Sequence, residues 1–220
     1  MHSLFPTPSP DRKRGVTAPR PGHRRLRSAL AAVCVLAALA AAAQPPNREQ
    51  LNSERIQQAF GSYGVQVIAT DARTRVTNLF SVEAGTKTCR TFAVVRFPAV
   101  IDPAVATEHA TITNGGSIGA VFAANGWRVL KTHLTFREIE ATGPLANLMH
   151  VAIGTRLAEH AYVLDVAKEG KTVEYAALVE IHHPDYLTRA ELERIYGVAE
   201  AGARQRLLDE LLAAAAEATR

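Results

Sequence analysis

Two sets of three strand-like runs, each set held together by short turns, constrain this chain more than any other feature. The first set is Tyr63 to Thr70, Arg75 to Val82 and Lys87 to Phe97, parted by the turn-prone Asp71-Ala72-Arg73-Thr74 and Glu83-Ala84-Gly85-Thr86. The second is Trp127 to Ile139, Glu159 to Ala167 and Thr172 to His182, and its last two runs flank Lys168-Glu169-Gly170-Lys171, the strongest hairpin signal in the sequence. Spacing this short fits an antiparallel meander. Apolar residues run without a break from Phe92 to Val95, as in a strand covered on both faces, so the third run belongs in the middle of its sheet.

Helical signals fall before, between and after these sets. Asn47 with Gln50 reads as a capping box for a helix running to Gly61, with Ile56, Ala59 and Phe60 as its buried stripe. Asp102-Pro103 opens a second helix, since aspartate accepts free amide hydrogens and proline supplies the first helical φ. It ends near Asn114-Gly115-Gly116, and Ser117 then caps Ile118 to Ala124. Residues 143–156 carry mixed signals and read as an irregular or partly helical connection. Thr188 with Glu191 caps a helix to Tyr196, and an amphipathic helix over 198–220 places Ala201, Leu208, Leu211, Leu212 and Ala215 on one face. The expected fold class is α+β: an antiparallel sheet of five to six strands packed against helices from the N-terminal, central and C-terminal segments. Gly85 to Pro98 and Gly170 to Pro184 repeat one order, glycine, Lys-Thr, apolar strand, proline. Duplicated halves and convergent hairpin chemistry both account for it.

The start of the chain has a different character. Residues 1–28 hold seven basic side chains against one acid, Asp11, and lead into the apolar run Ala29 to Ala43. That is the pattern of a secretory signal peptide, and the run is shorter than the roughly 20 residues a membrane span needs. The expectation is therefore a cleavable leader over 1–43, cut near Ala43, then a single domain over 44–220 with a flexible start at 44–47. Arg24-Arg25 leaves the general and twin-arginine export routes both open. An exported bacterial domain follows, periplasmic or secreted, which meets the membrane only during export.

Charge depends on that reading. The whole chain is +4, but without residues 1–43 eighteen basic and twenty acidic residues remain, a net charge of −2. On this basis nucleic acid is excluded as a partner, because phosphate binding needs a basic footprint. Cys89 is then the one remaining cysteine, so no intramolecular disulfide forms, and it reads as a small buried hydrophobe.

Three groups of residues carry candidate chemistry. Gly115-Gly116-Ser117-Ile118-Gly119 matches a hydrolase nucleophile elbow, with Ser117 as nucleophile, but a helical stretch precedes it where the motif requires a strand. Gly115, Gly116 and Ser117 also form a candidate anion loop at a helix start. In the hairpin, a symmetric turn about Glu169 and Gly170 sets Asp165 opposite Glu174 and Glu159 opposite Glu180, on the face that carries His182. Like charges facing each other destabilise a sheet. Lys131, His133 and Arg137, a cation, or a carboxyl of raised pKa would offset them. Glu159, Glu180 and His182 are accordingly the candidate metal ligands, and the same three with Ser117 and His133 are the candidate catalytic residues. No cofactor is expected apart from that divalent metal. The leading function is a non-enzymatic module that binds a small molecule or a protein partner in a groove between sheet and helices. The alternatives are a small hydrolase or metal-assisted enzyme on the acidic hairpin face, and an envelope structural or assembly factor.

Overall fold

The computed structural model describes residues 50–220, so the leader over 1–43 and the Asn47 cap lie outside the described residues. Strands β1 (Gly64–Thr70), β2 (Thr74–Glu83), β3 (Thr86–Arg96), β4 (Arg128–Glu140), β5 (Arg156–Lys168) and β6 (Lys171–His182) fall within a few residues of the runs read from the sequence. They form one sheet in the order β1-β2-β3-β6-β5-β4, with every neighbouring pair antiparallel. Each meander stays intact and the two meet along β3 and β6. The apolar third run is therefore central, as its composition requires.

Among the described residues six α-helices accompany the sheet: α1 (Asn52–Phe60), α2 (Ala106–Thr113), α3 (Ile118–Ala124), α4 (Gly143–Met149), α5 (Arg189–Tyr196) and α6 (Gln205–Ala218). The α+β class holds. Local chemistry explains several ends. The Asp102 carboxylate accepts from Ala104 N at 2.8 Å before the 3₁₀ turn Pro103–Val105 that leads into α2. Thr188 and Glu191 form the expected reciprocal cap of α5. Two helices differ from expectation. Ala59 in α1 is exposed, and only Ile56 of the proposed stripe is fully buried. The last helix begins at Gln205 instead of 198, because Gly202 takes φ 50° and a 3₁₀ turn, Gly202–Arg204, comes first.

The sheet is covered on both faces. On one, α4 and α6 bring Leu145, Met149, Leu208, Leu211 and Ala215 onto Phe92, Val94, Val163 and Val179. On the other, Val105, Ile112 and Phe122 pack on Val95, Tyr162 and Leu178, while Ile56 and Leu192 pack with Phe136 and Ala158. Burying a side chain of this size contributes about 1.5–3 kcal/mol, so these clusters, with no disulfide among the described residues, supply the fold's stability.

Irregular ladders decide which residues share a face. The pairing skips Arg90 in β3, Leu134 in β4 and Tyr175 in β6. One extra residue reverses the alternation beyond it. In the hairpin, Asp165 does face Glu174, as the turn dictates, but past Tyr175 the register moves by one and His160, not Glu159, faces Glu180. In β4, Lys131 and His133 share a face with Phe136, because Leu134 turns into the opposite core cluster.

Candidate functional site

A cleft opens between the sheet and the N-terminal ends of α1 and α3. It holds about 580 Å³ of empty space out to its mouth, and every strand contributes to its floor. Val65, Leu79, Val95, Leu164 and Leu178 make the floor apolar, and Arg75, Glu180, Lys131, Tyr63, Asn52 and Ser117 are the polar groups along it.

Arg75 is the unusual member. It is 2% exposed, its Nη1 donates to Gly116 O at 2.9 Å, and its buried Nε has no hydrogen-bond partner. Burial holds the guanidinium below its ordinary pKa, and the groups that act the other way are the phenols of Tyr175 and Tyr63, not a carboxylate. The Tyr63 hydroxyl, also buried, has its pKa raised by burial, with a hydrogen bond to the Ser117 side chain acting the other way. A buried donor left unsatisfied costs about 1–3 kcal/mol, more when charged. The cleft wall therefore carries a buried cation with one donor still unmatched.

At the end of the cleft lies a cluster of rings. Asn52 Nδ2 donates to Glu180 Oε1 at 3.1 Å and to Thr91 Oγ1 at 3.3 Å, and Tyr186 donates to Asn52 Oδ1. His182 Nδ1 lies 3.1 Å from Thr91 Oγ1, while its buried Nε2 has no partner. His160 Nε2 is 2.8 Å from His133 Nδ1, and the His133 ring stacks on Tyr196 at 4.5 Å. Burial pushes the His182 pKa down to about 3, with Lys131 and Arg55 acting the same way, and burial also puts His160 well below its usual value. Both imidazoles are neutral at pH 7.

The sequence candidates separate accordingly. Glu180 and His182 come together, but Glu159 lies on the opposite face, ion-paired with Arg137, so the expected ligand trio is corrected to His160, Glu180 and His182. Asp165 and Glu174 also lie on that opposite face, and their repulsion is offset by Arg204, 3.0 Å from Glu174, instead of by Lys131 or His133. Ser117 lines the cleft, but the loop before it follows helix α2, so the strand that a nucleophile elbow requires is absent there. Gly115 and Gly116 shape that loop: Gly115 has φ 107°, and a Cβ on Gly116 would stand 2.9 Å from Thr111 O. Cys89 is fully buried and its thiol pKa is raised, as a small core hydrophobe requires. Sequence reasoning passed over Arg75 and Tyr63. The signal was slight: the alternation Arg75, Thr77, Leu79 puts a cation on an apolar strand face, but nothing in one sequence says that the face is buried.

No family model matches the chain, and no curated protein matches it. Among solved structures, PhnF from Mycobacterium smegmatis is 16% identical with a TM-score of 0.45, over 66% of this chain and 68% of that one. A GntR-family transcriptional regulator from Enterococcus faecalis V583 is 13% identical with a TM-score of 0.36, over 58% of this chain and 93% of that one. The ligand-binding domain of a GntR-family regulator from Bordetella bronchiseptica is 14% identical with a TM-score of 0.34, over 64% and 79%. Two of the three are named as a GntR-family transcriptional regulator or its ligand-binding domain, and none of the names describes an exported domain. The expectations of a signal peptide, of a periplasmic or secreted location and of an envelope role are corrected, and the exclusion of nucleic acid falls with them. Its physical fault is plain. The exclusion required subtracting residues 1–43, and with those residues counted the chain is +4.

Proposed function

We propose that residues 50–220 form a small-molecule-binding domain whose ligand is a compact organic anion. The observation that carries this reading is Arg75, a buried cation on a cleft wall with an unsatisfied Nε and no carboxylate acting on its charge. Protein interiors retain such a group when something else completes it, and a planar carboxylate matches the fork of a guanidinium. Tyr63 supplies a hydroxyl to the same anion, and the aliphatic floor of Val65, Leu79, Val95 and Leu178 takes an apolar body. Glu180, anchored by Asn52, faces a donor group on the ligand. The arrangement suits recognition. Arg75, Lys131 and Glu180 are fixed by strands, which place side chains more rigidly than loops do.

Calorimetric titration with a panel of small aromatic and aliphatic carboxylates tests the proposal. At least one should bind to the wild type, and Arg75→Met should weaken it by tenfold or more, since one bond to a charged group is worth about 1.5–3 kcal/mol. Binding that tolerates Arg75→Met, or a preference for the matching amides over the acids, would refute the reading.

A further inference from the structure

From the cluster at the end of the cleft we infer that His160, Glu180 and His182 form a binding site for one divalent first-row transition ion. This rests on the histidines and stands independently of Arg75. One ligand atom from each of the three residues lies within 4.8 Å of the others, and all three residues are buried. His182 Nε2 stands 3.9 Å from Glu180 Oε2. That is too long for a hydrogen bond, yet close to the roughly 3.4 Å between neighbouring ligand atoms around a tetrahedral ion with bonds near 2.1 Å. Small side-chain rotations close the remaining gap.

The surrounding bonds prepare each ligand. With Thr91 Oγ1 accepting from His182 Nδ1, the Nε2 lone pair faces inward, and this is the buried atom that lacks a partner. Asn52 holds Glu180 Oε1, and Oε2 lies 3.9 Å from His182 Nε2. His133 orients the His160 ring. Two imidazoles and one carboxylate make a borderline donor set that suits zinc or a neighbouring ion, and three protein ligands leave a further coordination position open. Glu180 also lines the cleft, so the ion sits at its wall. Lys131 on β4 and Arg55 on α1 act on the His182 ring as positive charges and oppose the ion. They make a test of their own.

Purified full-length protein, stripped with chelator, is titrated with Zn²⁺, and a second sample with Co²⁺ is followed by its visible absorption. The site requires one equivalent of Zn²⁺ and cobalt bands of nitrogen and oxygen coordination. His182→Ala and His160→Ala should each lower affinity at least a hundredfold, and Thr91→Ala ten- to a hundredfold. Lys131→Met should raise it, and Glu159→Gln, on the far face, should leave it unchanged. If the histidine variants fail to fold, the Lys131→Met and Thr91→Ala comparison and the cobalt spectrum decide. No stoichiometric binding to the wild type, or binding that His182→Ala leaves intact, overturns the inference.

Discussion

Two buried arginines should respond in opposite ways to removal, and the contrast tests whether Arg75 serves a ligand or the fold. Arg90 is 4% exposed and well supplied with partners: its Nε donates to Ser81 Oγ at 2.8 Å, Nη2 pairs with Glu83, and the guanidinium carbon lies 3.8 Å from the Phe60 ring centre. Arg90→Met forfeits a bond worth about 1.5–3 kcal/mol and a cation–π contact worth about 0.5–2 kcal/mol. Glu83 is half exposed, so solvent screens its pairing and it adds little. The expected loss is about 2–5 kcal/mol. Arg75→Met gives up the bond to Gly116 O, again about 1.5–3 kcal/mol, but also removes an unsatisfied donor that costs about 1–3 kcal/mol. The two nearly cancel, so the ligand-free variant should lie within about 1 kcal/mol of wild type, and relief from burying an uncompensated charge pushes it toward greater stability. Urea denaturation of ligand-free proteins reads both values, and 1 kcal/mol corresponds to about 2–4 °C in Tm for a domain of this size. If Arg75→Met costs as much as Arg90→Met, Arg75 is a structural residue and the anion reading loses its basis.

Two further outcomes are expected. Gly116→Ala sets a Cβ against Thr111 O and the Val121 side chain, at 2.9 and 2.8 Å. It should destabilise by about 1–3 kcal/mol and weaken carboxylate binding as well, because Gly116 O anchors Arg75; unchanged binding would break that link. Asp165 has its pKa raised by burial and then by Glu174, so its contribution to stability is present below the ordinary aspartate value and is lost as pH rises through the raised value. Asp165→Asn should therefore raise Tm at pH 7 and lose that advantage at pH 3, a crossover that thermal scans at both pH values will reveal or rule out.

Much of the fold was legible because strands, turns and caps are local. Thr188 and Glu191 announce their helix from a separation of three residues, and Lys168 to Lys171 mark the hairpin turn. The residues that share a face were harder to read. Counting by twos carried Glu159 to Glu180 and kept Arg137 with Lys131 and His133, whereas the extra residues at Tyr175 and Leu134 reverse both assignments. Their side chains give no local signal: Tyr175 departs from the ladder to pack among Phe97, Phe122 and His109, all distant in sequence. The candidate site was half legible for the same reason. Glu180 and His182 lie two apart on one strand and stay together under any register, while His160 joins them only through the shifted one. Arg75 looks like an ordinary solvated charge until α1 and α3 close over it.

The strand order has a mechanical consequence. The backbone ladder between the two meanders runs only over Thr91–Arg96 against Ala177–His182. Arg75 belongs to one meander, Lys131 and Glu180 to the other. A guest that grips both sides of the cleft spans this seam like a staple. Its arrival should be felt as slower amide exchange along those few rungs.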